Sequence, residues 1–172
     1  MPGHLQDPSS QWDGRYFDPH QSTERWAELQ GPWVPFGPFD QAIDYFQDGS
    51  FWIIRAPGHM PGNLCAAARV HGGHWIVLGS DCCHSREIYK GIHDFGYFAL
   101  PDGRAACLHA DVQAARDTIE RITIMETVHG AHIAFAHDAS WMVAAEDPVL
   151  MSLLGERLQA AARERIPFGE VA

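Results

Sequence analysis

The stretch from Ala56 to His84 constrains this chain more than any other. It opens as Ala56-Pro57-Gly58-His59-Met60-Pro61-Gly62-Asn63, turns through His71-Gly72-Gly73-His74, and closes as Trp75-Ile76-Val77-Leu78-Gly79-Ser80-Asp81-Cys82-Cys83-His84. Two apolar runs with strand character, Phe51 to Ile54 and Trp75 to Leu78, each end shortly before a residue able to do chemistry: His59 after the first, Asp81 after the second. β-branched and aromatic residues favour a pleated backbone, and the Pro and Gly that follow interrupt it, so the chain leaves the sheet at these points. Side chains just past a strand end sit on loops held by a rigid scaffold, where sites are built.

The flanking sequence supplies the rest of the sheet. Ile43 to Phe46 and Phe51 to Ile54 flank Asp48-Gly49, which predicts a hairpin. Leu64 to Val70 and Trp75 to Leu78 flank the His71-Gly72-Gly73-His74 turn and predict a second hairpin, its near-continuous apolar strands buried on both faces. Residues 85–104, with Gly91, Gly96, Pro101 and Gly103 among scattered aromatics, are expected to form a surface excursion with one short helical piece. Asp111 then caps a helix with Val112, Ala115, Ile119 and Ile122 on one face, ending near His129-Gly130. Ala131 to Ala136 reads as a short buried strand, with His137-Asp138 immediately beyond it. Asp147-Pro148 opens a last helix carrying Leu150, Leu154, Leu158 and Ala161.

Residues 1–41 are of another kind. Pro2, Pro8, Pro19, Pro32, Pro35 and Pro38 break every period, leaving a Pro/Gly-rich connecting segment with at most a short helix near Ser22 to Leu29, and residues 42–172 are expected to be the folded domain. A chain of 172 residues that is 46% hydrophobic can bury one full core. Its formal charge of −10, with Lys90 the single lysine, argues against nucleic acid or an anionic membrane surface as a partner, since both reward clustered cations. No apolar run approaches the roughly 20 residues that span a bilayer, and Met1 to Asp7 is too polar for a signal peptide, so a cytoplasmic location is expected. Four cysteines without a Cys-x-x-Cys indicate neither a zinc knuckle nor a disulfide framework, and Cys82-Cys83 read as small buried hydrophobes. Eleven histidines are the compositional hint of metal chemistry.

His59, Asp81 and His137 each follow the end of a predicted strand, on separate segments that one sheet can bring to a common edge. A carboxylate between two imidazoles suits divalent ions, which lower the pKa of a water and stabilise a developing oxyanion. A lone histidine at a strand end is more often a structural or surface group, and geometry is what decides between the two.

Taken in order, Pro57-Gly58-His59-Met60-Pro61-Gly62-Asn63, Gly79-Ser80-Asp81 and Phe135-Ala136-His137-Asp138 resemble the second half of a metallo-β-lactamase-fold hydrolase and are most similar in pattern to the acyl-homoserine lactonase branch. The resemblance covers the chain from about Ala42 to the last helix. It implies an α+β fold, half of an αββα sandwich, in which a mixed β-sheet is covered by helices on one side. It also implies two zinc ions, with His59 on the first, Asp81 bridging both and His137 on the second. A metal-bound hydroxide would then open a small-molecule lactone or ester. His84 stands where that branch commonly has a Tyr contacting the substrate carbonyl, and Asn63 replaces the second His of the loop motif.

The family's His-x-His-x-Asp-His motif is absent, which leaves each metal two ligands at most, one of them shared. Weak metal binding and background turnover are therefore expected of this chain alone. Two functions are compatible with these residues. One is a metal-dependent hydrolase that is incomplete in this chain. The other is a non-catalytic remnant or interaction module that keeps the scaffold and is completed by a complementary N-terminal half or by a second copy of itself as a homo-oligomer.

Overall fold

The computed structural model describes residues 29–164; of the short helix expected over residues 22–29, all but Leu29 lies outside them. Six strands form the main sheet in the order β1-β2-β3-β4-β5-β8: β1 Val34–Phe36, β2 Phe39–Asp44, β3 Phe51–Arg55, β4 Leu64–Arg69, β5 Trp75–Leu78 and β8 His132–Ala134. β2, β3, β4 and β5 pair antiparallel as two successive hairpins, and β8 joins parallel to β5. The sheet is mixed and carries helices, an α+β architecture.

β2 ends earlier than the apolar run suggests. Asp44 Oδ2 accepts a hydrogen bond from the Gly49 amide at 2.8 Å and closes the turn there, leaving Tyr45 and Phe46 exposed in the connection. The second hairpin has the expected pairing, Ala66 opposite Leu78 and Ala67 opposite Val77. Its burial differs from expectation on one face. Ala42, Ile54, Cys65, Ala67, Val77 and Ile133 pack with Ile122 and Met125 of the long helix α2, Val112–Thr127. On the other face, Leu150 covers Ile76 and Ala134, with Trp141 and Val149 packed beside it, while Leu64 and Leu78 are each 38% exposed. Both faces are therefore apolar, and among the described residues the second is covered toward β5 and β8.

α2 forms as its sequence requires. Asp111 accepts from the Ala114 amide at 3.0 Å, and Gly130, at φ +66°, reverses the chain after the last turn. That reversal feeds β8, so α2 completes the crossover that a parallel β5–β8 pair needs. The excursion after β5 holds a short helix α1, Arg86–Tyr89, and an unforeseen two-stranded sheet, β6 Tyr97–Ala99 with β7 Ala105–Cys107. The expected final helix is broken in two: α4 Pro148–Met151 and α5 Glu156–Glu164, separated by a turn that reaches Gly155. A further short helix, α3 Ser140–Ala144, precedes them. No helix among the described residues is long and apolar enough to cross a membrane.

Candidate metal centre

Strand direction decides where the site forms. β3 and β5 flank β4 antiparallel and β8 runs parallel to β5, so the C-terminal ends of β3, β5 and β8 share one edge of the sheet. His59 follows β3, Asp81 and His84 follow β5, and His137 follows β8.

The His59 loop is clamped from both sides. Asn63, buried, donates from Nδ2 to the Ala56 carbonyl at 2.9 Å and to Cys82 Sγ at 3.3 Å, so the residue replacing the family's second loop histidine is a structural clamp. Gly58 adopts φ +137°, and a Cβ there would stand 2.4 Å from the Ala115 Cα; only glycine lets the loop lie this close against α2. The Asp111 and Ala110 amides donate to the Gly58 and His59 carbonyls at 3.0 and 3.1 Å, and Thr118 Oγ1 donates to the Pro57 carbonyl at 2.7 Å. These contacts fix the His59 backbone and leave its ring facing the strand edge.

Asp81 sits in a 3-10 turn, Ser80–Cys82, tied to the far strand. The Gly79 amide donates to Ala134 O at 2.8 Å and the Ala136 amide to Ser80 O at 3.0 Å, so the exits of β5 and β8 stay together. His137 Nε2 consequently lies 2.7 Å from Asp81 Oδ1. The next residue, Asp138, has a separate role: its carboxylate accepts from Arg86 Nε at 2.7 Å and from the Ser140 amide at 3.0 Å, while Arg86 also donates to the Ile133 carbonyl. Cys82 and Cys83 are buried in the core, as expected of small hydrophobes.

His84 lies at the middle of the cluster. Its ring centroid is 5.2 Å from that of His59, 5.1 Å from that of His137 and 4.8 Å from that of His109. One donor atom from each of His59, Asp81 and His84 lies within 4.8 Å of the other two. The structure thus brings the sequence-derived residues together, with His137 joined through Asp81 and with His84 set among the donors rather than outside them.

His109 is the functional candidate that sequence reasoning misses. It is only 3% exposed, its ring centroid is 5.6 Å from that of His59 and 4.5 Å from that of Phe95, and neither ring nitrogen has a hydrogen-bond partner among the described residues. No spacing in the sequence marks it, because its place depends on the docking of the His59 loop against the backbone at Ala110 and Asp111.

Burial, then the neighbouring His84 and His59 rings, pushes His109 down to about 4, and burial followed by His59 and His137 lowers His84 as well. Imidazoles held neutral keep a lone pair for a cation. His59 Nδ1 is likewise buried without a partner. Unsatisfied buried nitrogens are costly and uncommon, and here they gather around one carboxylate. Neutral imidazoles with a carboxylate among them make a donor set that fits a divalent ion.

The strand ends of this mixed α+β sheet carry the His59, Asp81 and His137 motifs in the order that the resemblance to a metallo-β-lactamase-fold hydrolase implies, and the comparisons with known proteins give partial similarity to such proteins. No family model matches the chain. It is 32% identical over 118 residues to cytochrome P450 monooxygenase mpaDE of Penicillium brevicompactum, covering 60% of this chain and 14% of that protein. It is 29% identical over 139 residues to metallo-hydrolase mfmC of Annulohypoxylon moriforme, covering 62% of this chain and 36% of that one. The chain therefore spans about a third or less of these relatives. Among solved structures, an N-acyl homoserine lactone hydrolase with the product N-hexanoyl-L-homoserine bound at its catalytic metal centre is similar at 17% identity and a TM-score of 0.43, covering 58% of this chain and 34% of that one.

Proposed function

We propose that this chain is the ligand-bearing portion of a metal-dependent hydrolase that opens lactones or similar esters. The observation that carries the reading is the convergence of His59, Asp81, His84 and His137 from three strand ends, with His59 Nδ1 buried and unpartnered among them. His59 and Asp81 would hold one ion, and Asp81 with His137 would contribute to a second; zinc suits such nitrogen and oxygen donors. When bound, the ion would polarise a carbonyl and lower the pKa of a water toward neutrality.

The chain's own residues do the positioning. His137 donates to Asp81 Oδ1 at 2.7 Å and so fixes the carboxylate's orientation. Beside His137 lies an apolar cleft of about 510 Å³, lined in part by Leu78, Trp141, Met142 and Leu153, which would take the hydrocarbon part of an ester.

The test is hydrolysis of a γ-lactone and of an aryl ester by the purified chain, with and without added Zn²⁺. The structure adds imidazoles that spacing did not assign as ligands, so turnover is expected to rise above background with zinc and to vanish in Asp81→Ala. The second reading is a scaffold-keeping interaction module completed by a partner half or by a second copy, since Asp81 with His137 alone leaves a second ion short of donors. Background rates at saturating zinc, unchanged in Asp81→Ala, would select that reading.

A further inference from the structure

Two histidines in this cluster have no counterpart in the ligand set that the resemblance implies. His84 stands at a tyrosine position of the lactonase pattern, and His109 belongs to none of the three motifs. Yet both lie nearer the buried side of the centre than His137, whose side chain is 58% exposed. His84 shares with His59 and Asp81 the property that one donor atom from each lies within 4.8 Å of the others'.

The buried nitrogens give the stronger indication. A neutral imidazole carries one N–H and one lone pair, and leaving either unsatisfied in the interior is costly. His109 leaves both unsatisfied and His59 leaves Nδ1 so. Contact with Phe95 supplies apolar packing to the His109 ring but no partner for either nitrogen. A phenylalanine or leucine would fill the same space without that cost. His59, Asp81 and His84, whose donor atoms lie within 4.8 Å of one another, are satisfied together by a cation, which accepts the imidazole lone pairs and neutralises the carboxylate, whereas protonating several adjacent rings would set like charges about 5 Å apart.

We infer that this chain by itself holds one divalent cation in a mononuclear site, with His59, Asp81 and His84 as ligands and His109 closing the site on its buried side. His84 thereby supplies ligation that none of the three sequence motifs assigns. The inference rests on reading the cluster as a metal centre. It departs from that reading in stoichiometry and in ligand identity: the second position, with only Asp81 and His137, stays too poor in donors to retain an ion. His137 then serves as a positioning residue that orients Asp81 through its N–H.

The experiment is ¹⁵N NMR of the histidine rings in the full chain titrated with Zn²⁺, alongside Co²⁺ absorption spectroscopy of the same protein. Saturation is expected at one equivalent, with the ring nitrogens of His59 and His84 moving to metal-bound shifts and those of the adjoining His109 perturbed, while His74 and His132 stay unchanged. His84→Phe and His109→Gln are each expected to weaken Co²⁺ binding by tenfold or more and to alter its visible spectrum. His137→Gln should keep the one-ion stoichiometry and spectrum at reduced affinity. Saturation at two equivalents, or metal-bound shifts on His59 and His137 with His84 and His109 unmoved, overturns the inference while leaving the hydrolase reading intact. One ion bound with metal-bound shifts on His59 and His84, and without any ester turnover, supports the site and removes the hydrolase. The wild-type ring spectra assign the ligands directly, so a variant that fails to fold does not blunt the test.

Discussion

Asp81 Oδ1 and His137 Nε2 stand 2.7 Å apart although 56 residues separate them in sequence. Parallel pairing of β5 with β8 creates that contact, and the Gly79 amide on the Ala134 carbonyl holds the two strand exits in step. Cluster geometry and sheet topology are therefore one problem in this chain, and changes to the scaffold should register at the cluster.

Gly58→Ala tests the support under His59. The native φ of +137° is open to glycine and strained for alanine, and the added Cβ would stand 2.4 Å from backbone of α2. A loss of about 2 kcal/mol or more in urea unfolding is expected, together with weakened metal binding. Wild-type stability in this variant would mean that the loop is not docked on α2.

Arg86→Met tests the brace behind His137. It strips Asp138, 6% exposed, of its guanidinium partner and leaves a buried carboxylate that retains only the Ser140 amide. Breaking such a pair from one side costs about 3–5 kcal/mol. Adding Asp138→Asn should restore much of that loss, and a double variant no more stable than Arg86→Met alone would show that the pair is not what holds the segment.

Asp147 links α4 to β8. Burial alone would raise its carboxyl, but the hydrogen bond with His132 at 2.6 Å and those from the Leu150 and Val149 amides outweigh burial and hold it below the usual 3.8. A carboxyl depressed in the folded state contributes stability that is complete above its unfolded pKa and is lost as pH falls through the folded one. Asp147→Asn should thus flatten the acid limb of the stability profile below about pH 4, and Asp147→Ala should also cost about 1 kcal/mol at neutral pH through the lost helix cap. Parallel acid limbs for wild type and Asp147→Asn would exclude this role.

Much of the scaffold is legible in the sequence because its signals are local. Asp48-Gly49, the Gly72-Gly73 turn, the Asp111 cap and Gly130 each fix a boundary through their own backbone chemistry, and β3, β5 and α2 fall close to where these residues place them. β6 and β7 escape notice because each has three residues and no alternation long enough to read. The last helix breaks because a favourable apolar spacing at Leu150 and Leu154 does not override the turn that runs to Gly155. At the site, the order of motifs leads to His59, Asp81 and His137, and His84 is visible as a possible donor. His109 is not, since what brings it there is a loop–helix contact between residues about 50 positions apart.

The central claim is that this chain carries a metal centre built on Asp81. The most direct measurement is elemental analysis of the purified chain after zinc loading and desalting, run beside Asp81→Ala. Close to one zinc per wild-type chain and little or none in the variant is the predicted result. Wild-type zinc no higher than that of Asp81→Ala would contradict it.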